Sequence, residues 1–425
     1  MDLRMKVTLV EVLGLILVIL STGFVGALDN YRGIGGYWAT EQRTSPISEG
    51  DNNPNGSEFY SVNTDEPNRQ ESVNQAALFF FSEWTKRWRD YSVDYSMSLE
   101  KPPRVDASVS RLFYRDYMEN NNIDSLNKAK DIISKQTNLY YRNYDEWKDV
   151  WGVENEFGEL LFSFREMKNE LSSETCQRIR TITARMADYW SDTNKVRSGY
   201  QGDTKAEENA WTARFLALAA NLFPEEPNAV RWEKYARMFA YHTITTSTDR
   251  AYGGIRTQTI HDHFVLDNHG YHPNPMYALW TLRFLGQGAA AYLENDKAVP
   301  WEFKHNTKLL WEKTKTHIRL GRDEWIDTYQ ATDQGYIWDP SWVIPMVWPW
   351  LYLVCDSDPD YGDKVVSWRY KHKPWLGKQN VERFDIDATA VAYVYILNST
   401  IREYAESFIE RQEGTEDEKA STSIA

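Results

Sequence analysis

Residues 204–242 contain two segments with the apolar spacing of amphipathic helices, and this pattern constrains the fold more than any other feature of the chain. The residues that share one face of the first segment are Trp211, Phe215, Leu218, Ala219 and Leu222. The residues that share one face of the second segment are Trp232, Tyr235, Ala236, Phe239 and Ala240. Pro224 and Pro227 lie between the two segments, and proline ends a helix because it lacks a backbone N–H and clashes with the preceding turn. The pattern predicts helices over 204–222 and 228–242, joined as an αα-hairpin, with Asn228 as the N-cap of the second helix.

The rest of the chain from about residue 73 onward shows the same helical character. The first helix of the hairpin is largely apolar on a second face as well, which carries Asn209, Leu216 and Ala220, so we expect it to be buried between layers. Further helices are predicted over 74–97, 123–150, 155–170, 173–190, 273–294, 301–319 and 381–409. The best strand candidates are two short runs near 240–246 and 262–266. The predicted fold class is therefore all-α.

Helices joined as hairpins can close into a ring or stack into a superhelix. We predict an (α/α) toroid, complete or as an incomplete barrel, in which an inner ring of helices lies inside an outer ring. An α-solenoid is the competing arrangement, but solenoids usually show a sequence period, and the chain has no strict repeat at a spacing of 20–50 residues.

The predicted domain organisation has four parts. Residues 1–27 include a long apolar run and resemble a signal peptide or a membrane anchor, so we expect the protein to be secreted or membrane-anchored, outside the cytoplasm. Residues 28–72 are rich in Gly, Asn, Ser, Thr and Pro, as in a linker. The helical region, 73–410, is the expected catalytic domain, and the polar residues 411–425 form a tail that we expect to fray.

Composition excludes several classes of function. The chain carries 48 Lys and Arg against 62 Asp and Glu, a formal charge of −14, so a nucleic-acid partner is not expected. Aromatic residues make up 14% of the chain, and aromatic rings exposed in a cleft would stack on sugars. Two cysteines, Cys176 and Cys355, allow one disulfide at most. No nucleotide-binding glycine motif is present, and no cofactor is expected.

Four of the eight histidines lie between residues 261 and 272, in a segment that reads as a loop followed by a helix with Pro275 in its first turn. One interpretation is structural, with these histidines bonded to backbone carbonyls and water. A second is a divalent metal site, because His261 and His263 would share one face of an extended strand. A third is catalytic, with Asn268 and His269 as the reacting pair.

The third interpretation comes from a resemblance to a known family. Asn268-His269-Gly270, followed closely by Tyr271 and Tyr277, resembles the Asn-His-Gly segment of the (α/α)-toroid polysaccharide lyases, which include the heparinase II/III-like and alginate lyase groups. The motif resemblance covers about residues 200–280, and the helical pattern extends it to about 73–410. The resemblance implies an enzyme that cleaves a uronic-acid polysaccharide by β-elimination.

Elimination requires that the sugar carboxylate be neutralised before the neighbouring C5 proton can leave. The resemblance assigns this role to Asn268, with help from His269. Arg256 or Arg214 could assist, since the planar guanidinium matches a carboxylate. An acidic chain that binds an acidic glycan also needs a basic cleft within its acidic surface.

A base must then take the proton, and an acid must protonate the leaving oxygen. Tyr271 and Tyr277 are the candidates, with His269 as the alternative base because its pKa lies near neutral. Asn209 is expected to line the cleft from an inner helix, as Arg214 would. His272 is a further candidate for substrate binding.

Two other functions remain open from the sequence. A glycoside hydrolase on the same toroid would use paired carboxylates, and Asp203, Glu207 and Glu208 lie together at the start of a predicted helix. A second acidic stretch contains Asp333 and Asp339 around Trp338, which could bind a sugar. The other function is that of a membrane-tethered glycan-binding module without catalysis. In that case the side chains of Asn268, His269 and the tyrosines would be scattered and would not meet in one pocket.

Overall fold

The computed structural model describes residues 106–200, 202–261, 266, 275–315, 350 and 353–355. All of these belong to one unit, which spans 59–333 and 337–425. Within these ranges the chain is mainly helical, at 71% helix, and contains no strand, so the all-α class is confirmed. The predicted segments 1–27, 28–72, 74–97, 381–409 and 411–425 lie outside the described residues.

Eight α-helices are described. They are α1 (Asp106–Asn120), α2 (Ile123–Trp147), α3 (Val153–Met167), α4 (Ser173–Trp190), α5 (Ala206–Leu222), α6 (Ala229–Tyr241), α7 (Pro275–Leu293) and α8 (Thr307–Lys315). Short 3₁₀ turns lie at Lys168–Glu170, Thr193–Lys195 and Trp301–Lys304.

Apolar periodicity located most of these helices closely. The helix predicted over 173–190 has those bounds, and α5, α6 and α7 begin and end within two residues of their predicted ends. The segment predicted as one helix over 301–319 divides into a 3₁₀ turn and α8 within the described part. Helix α1 was not predicted, although Val109, Leu112 and Phe113 are buried at helical spacing. The strand suggested near 240–246 is wrong, because α6 continues to Tyr241 and the following residues form turns.

Polar side chains cap the starts of two helices by accepting backbone hydrogen bonds, and the side chain at the start of a third helix does not. Asn122 and Ser172 accept hydrogen bonds from Ser125 N and Thr175 N at the starts of α2 and α4. Asn228 occupies the N-cap position of α6, but its side chain makes no capping bond and donates instead to Asp188 Oδ1 at 2.9 Å. The predicted position is confirmed, and the predicted role of the side chain is wrong because Asp188 on α4 offers a charged acceptor.

The helices form two layers in which neighbours within a layer run parallel. Helices α3, α5 and α7 form one layer. Residues later in α3 contact residues later in α5, as the pairs Glu154–Thr212 and Glu159–Arg214 show, so the two helices run parallel. The α5–α7 contacts advance in the same way, from Trp211–Phe284 to Arg214–Gln287. The pairs between α2 and α4 also advance together, from Ser134–Thr175 through Asn138–Arg178 to Asp145–Arg185. Helices α3, α5 and α7 therefore begin toward the same end of the structure.

Helix α5 lies at the centre of this packing. It contacts α3, α4, α6 and α7, and nearly all of its residues are buried, which confirms the predicted burial between layers. Its hairpin with α6 is confirmed as well. The single disulfide that the cysteine count allowed does not form: Cys176 lies near Lys168 O, and Cys355 is buried near Thr307 O.

None of the helices within the described ranges combines the length and apolarity needed to cross a membrane.

Candidate functional site

The structure describes five of the residues predicted for the lyase and metal sites, and it also describes Asp203, Glu207 and Glu208 of the hydrolase alternative. Asn268, His269, Tyr271, His272, Trp338 and His263 lie outside the described residues, as do Asp333 and Asp339. Tyr277, Asn209, Arg214, Arg256 and His261 are described.

Tyr277 is the third residue of α7, which begins at Pro275, so Pro275 lies in the first turn as predicted. Its side chain is half-buried and packs against the hydrophobic core. Its position in the first turn of α7 agrees with the position predicted from the sequence, and its packing fits the alternative that it is a core aromatic residue.

Asn209 does not face a cleft. Its side chain is fully buried, and Nδ2 donates to Arg197 O at 2.8 Å and to His242 O at 2.9 Å. Oδ1 accepts from Arg197 N at 3.0 Å. The amide thus holds two loops against the start of α5, a structural role that the apolar pattern around Asn209 could not reveal.

The two predicted arginines lie in different surroundings. Arg214 is fully buried in the middle of α5, where its guanidinium contacts Glu159, Asn155 and Gln287. Arg256 is exposed in a loop and donates to Ser247 O at 2.5 Å. The structure does not bring them together around one carboxylate.

Acidic residues at the N-terminal end of α5 do come together. Lys205 adopts a left-handed backbone conformation (φ 57°) and pairs with Asp203 at 2.5 Å and with Glu208 at 3.1 Å. Arg197 lies 3.7 Å from the same Glu208 oxygen. Asp203 and Glu208 therefore meet at Lys205 at the N-terminal end of α5, and Glu207 lies in the first turn of the same helix.

The surroundings of Glu207 shift its pKa. Burial, with the added repulsion of Glu208 and Asp203, raises the pKa of Glu207 to about 8, while Lys205 partly opposes the shift. Asp203 and Glu208 instead pair directly with Lys205. A carboxyl group whose pKa is raised toward neutral is the kind of group that general acid catalysis uses.

Glu154 adds a second carboxyl group of this kind that sequence reasoning missed. It lies in the first turn of α3, fully buried, where Oε1 accepts from Trp211 Nε1 at 2.6 Å and from Thr212 Oγ1 at 3.2 Å. Its other oxygen, Oε2, is buried without a hydrogen bond. Burial raises the pKa of Glu154 to about 7, although Arg197 opposes the shift. The only sequence signal was an acidic residue at the start of a largely apolar helix.

We expect Glu154 to make stability depend on pH. Its pKa is raised from 4.5 to about 7 on folding, so the folded chain holds an extra proton between these values, and stability falls as pH rises through that window. In Glu154→Gln this contribution disappears. Between about pH 5 and pH 8, urea unfolding should show the stability of the wild type falling relative to Glu154→Gln by about 2–3 kcal/mol.

The control for this measurement is Glu146→Gln, which alters an exposed carboxylate on α2. It should follow the wild-type pH profile. A constant difference between the wild type and Glu154→Gln across the same pH range would show that Glu154 is ionised in the folded protein.

An aromatic cluster lies after the C-terminus of α6. Tyr241 stacks on Tyr252 with ring centroids 4.7 Å apart and on His305 at 4.2 Å. Trp301 packs edge-on against all three rings and is 54% exposed. Beneath them, buried Glu302 accepts from the hydroxyl of Tyr252 at 2.5 Å. The exposed indole ring is the kind of flat apolar surface that stacks on a sugar.

The metal alternative concerns mainly residues outside the described ranges. His261 is half-buried, and its Nδ1 lies 3.2 Å from Gln258 Nε2. Within the described part of the chain, no group of three or more His, Cys, Asp or Glu side chains is arranged to hold a metal ion.

Comparisons with protein families, with characterised proteins and with solved structures found no match to this chain.

Proposed function

We propose that the protein is an extracytoplasmic carbohydrate-active enzyme, a polysaccharide lyase that cleaves a uronic-acid glycan by β-elimination. The proposed scaffold is an (α/α) toroid, in which α3, α5 and α7 belong to the inner ring. The two parallel layers of helices support this scaffold, since a toroid of hairpins requires the helices within each ring to run parallel.

One observation carries the proposal. Helix α7 begins at Pro275, five residues after the Asn268-His269-Gly270 segment, and runs parallel to α5 and α3. The chain therefore enters α7 at the end of the structure at which α5 begins, where the acidic site of Asp203, Glu207 and Glu208 lies. The exposed Trp301 lends further support to a carbohydrate ligand.

In the proposed reaction, the amide of Asn268 and the imidazole of His269 neutralise the sugar carboxylate as charge develops on it. Tyr271 or Tyr277 removes the C5 proton and protonates the leaving oxygen, with His269 as the alternative base. No cofactor is required for these steps. The cleaved chain then carries an unsaturated uronate, which absorbs in the ultraviolet.

The test is an ultraviolet absorbance assay of the full chain over a panel of uronic-acid polymers. We expect absorbance to increase with at least one polymer, and His269→Ala to lower the rate by about 100-fold or more. His317→Ala, which alters a histidine outside the four-histidine segment, is the control and should retain the wild-type rate. Absence of an absorbing product from every polymer would contradict the elimination.

A glycoside hydrolase is the second candidate, and the raised pKa of Glu207 beside Asp203 and Glu208 favours it. In that reaction Glu207 would protonate the leaving oxygen. Release of reducing ends without ultraviolet absorbance would then be expected, with a loss of about 100-fold in Glu207→Gln. Glu225→Gln, a change at an exposed carboxylate, is the matched control. If Glu207→Gln retained the wild-type rate, hydrolysis through this acid would be excluded.

A further inference from the structure

Four buried charged side chains meet in the layer that contains α3, α5 and α7. We call Arg111, Glu159, Arg214 and Arg283 the arginine cluster; they come from α1, α3, α5 and α7 respectively. Arg214 is fully buried, and the side chains of Arg283 and Glu159 are 7% and 9% exposed. Each of four helices thus contributes one charge to the same buried region.

The single carboxylate of the cluster is shared among three guanidinium groups. Glu159 Oε1 accepts from Arg214 Nη1 at 2.5 Å and from Arg283 Nη2 at 3.3 Å, and Oε2 accepts from Arg111 Nη2 at 2.9 Å. Burial alone would raise the pKa of Glu159, but Arg214, Arg283 and Arg111 outweigh burial and lower the pKa to about 2. Both oxygens of the carboxylate are occupied, and Arg214 and Arg283 share one of them.

The neighbouring acidic residues are farther from the cluster or already paired. The charge of Glu166 acts on Arg111, and the charge of Glu156 acts on Arg283. Glu166 lies 3.5 Å from Arg165, which also pairs with Glu294 at 2.6 Å. Burial lowers the pKa of Arg283 to about 10, and Arg214 and Arg111 add to this shift against the opposing charge of Glu159. Among the described residues, Arg214 and Arg283 both form their salt bridge with Glu159, so these two positive charges share one negative charge.

Two hydrogen-bond donors beside this charge have no acceptor. Arg214 Nε and Gln287 Nε2 are buried without a hydrogen bond, and the two side chains are joined by the bond from Arg214 Nη1 to Gln287 Oε1 at 2.8 Å. Asn155 holds the guanidinium of Arg214 in place through its backbone oxygen at 2.6 Å and Oδ1 at 2.7 Å. A buried donor without an acceptor is costly, so a cationic region that contains two of them is suited to an anion.

We propose that the arginine cluster, together with Gln287, is an internal binding site for a small oxyanion such as sulfate, phosphate or the carboxylate of a sugar acid. The planar guanidinium donates in parallel to two oxygens of such a group, and the bound anion offsets the excess charge. This site is separate from the acidic residues at the N-terminal end of α5, and the proposal does not rest on the proposed glycan cleavage.

The experiment compares the thermal unfolding of the full chain in sodium sulfate and in sodium chloride at equal ionic strength. We expect sulfate to raise the Tm of the wild type by about 3–6 °C more than chloride does. Sulfate also stabilises proteins by exclusion from their surface, so the variants must separate this general effect from binding. In Arg283→Met and in Gln287→Leu, sulfate should raise the Tm above its value in chloride only by the amount that exclusion from the protein surface produces.

Arg165→Met is the matched control, because Arg165 faces two carboxylates and lies outside the cluster. It should retain the full sulfate-dependent shift. In chloride, Arg283→Met should have a Tm equal to or above that of the wild type, since it removes part of the excess charge. A purely structural ion cluster would instead lose stability in that variant and show the same sulfate response in every chain, which would overturn the proposal.

A second measurement identifies the source of the oxyanion. Titration calorimetry with sodium glucuronate, with glucose as the uncharged control, should detect binding to the wild type and at least 10-fold weaker binding to Gln287→Leu if a sugar acid occupies the site. Binding of sulfate but not of glucuronate would assign the site to inorganic oxyanions. Binding of neither would refute the site, whatever the result of the polymer assay.

Discussion

Replacing Glu159 with glutamine is expected to lower the free energy of unfolding by about 3–5 kcal/mol, because removal of one partner leaves buried charges without compensation. Three guanidinium groups donate to this carboxylate, and an amide carries no charge to balance them. The measurement is urea unfolding at neutral pH. Glu174→Gln serves as the control, since Glu174 is 72% exposed and pairs only with Arg178 one turn away. Its loss should be below about 0.5 kcal/mol.

The lowered pKa of Glu159 predicts how the stability of the protein changes in acid. Its pKa falls from 4.5 to about 2 on folding, so the unfolded chain binds a proton more readily than the folded chain. The stabilisation is therefore complete above about pH 4.5 and is lost as pH falls toward 2. Glu159→Gln should lack this part of the acid transition. If Glu159→Gln were as stable as the wild type at neutral pH, the charge of Glu159 would make no net contribution to the free energy of unfolding.

Replacing Trp232 with alanine is expected to cost about 3–5 kcal/mol, the largest effect we expect from loss of packing. Trp232 on α6 is 1% exposed, and its Nε1 donates to Asp188 Oδ1 on α4 at 2.7 Å. The substitution leaves a cavity and removes a bond between two helices. The measurement is again urea unfolding, with Val230→Ala as the control on the same helix, because Val230 is 82% exposed.

A second variant separates packing from hydrogen bonding at this position. Trp232→Phe retains most of the ring but no N–H, so it should cost about 1–2 kcal/mol. Asp188 keeps the hydrogen bond from Asn228 in that variant. An equal loss for the phenylalanine and alanine variants would mean that the hydrogen bond, and not the buried volume, dominates.

Helix positions were the most predictable part of this protein. Apolar residues at three- and four-residue intervals located α4, α5, α6 and α7 because each stripe must be buried along its own helix, and that requirement is local. Helix α1 was missed although it carries the same signal over a shorter run. The strand suggested near 240–246 failed because its apolar residues continue the buried face of α6.

The candidate sites were only partly predictable. Asp203, Glu207 and Glu208 were recognised as candidates because they lie close together in the sequence at the start of a helix. Glu154 was not, since its raised pKa depends on burial against Trp211, far away in the chain. Asn209 was expected to face a cleft, but its amide bonds to the backbone of two loops.

The sequence alone determined the all-α class, the αα-hairpin of α5 and α6, and the start of α7 to within two residues, because periodicity and proline act over a few residues. Only the tertiary structure decided that Arg214, predicted to bind substrate, meets Glu159 and Arg283 from two other helices. The rotation and register of packed helices set such meetings, and they depend on side chains distant in the chain. Local spacing therefore predicted where the helices lie, and long-range packing determined which charges share the buried interior.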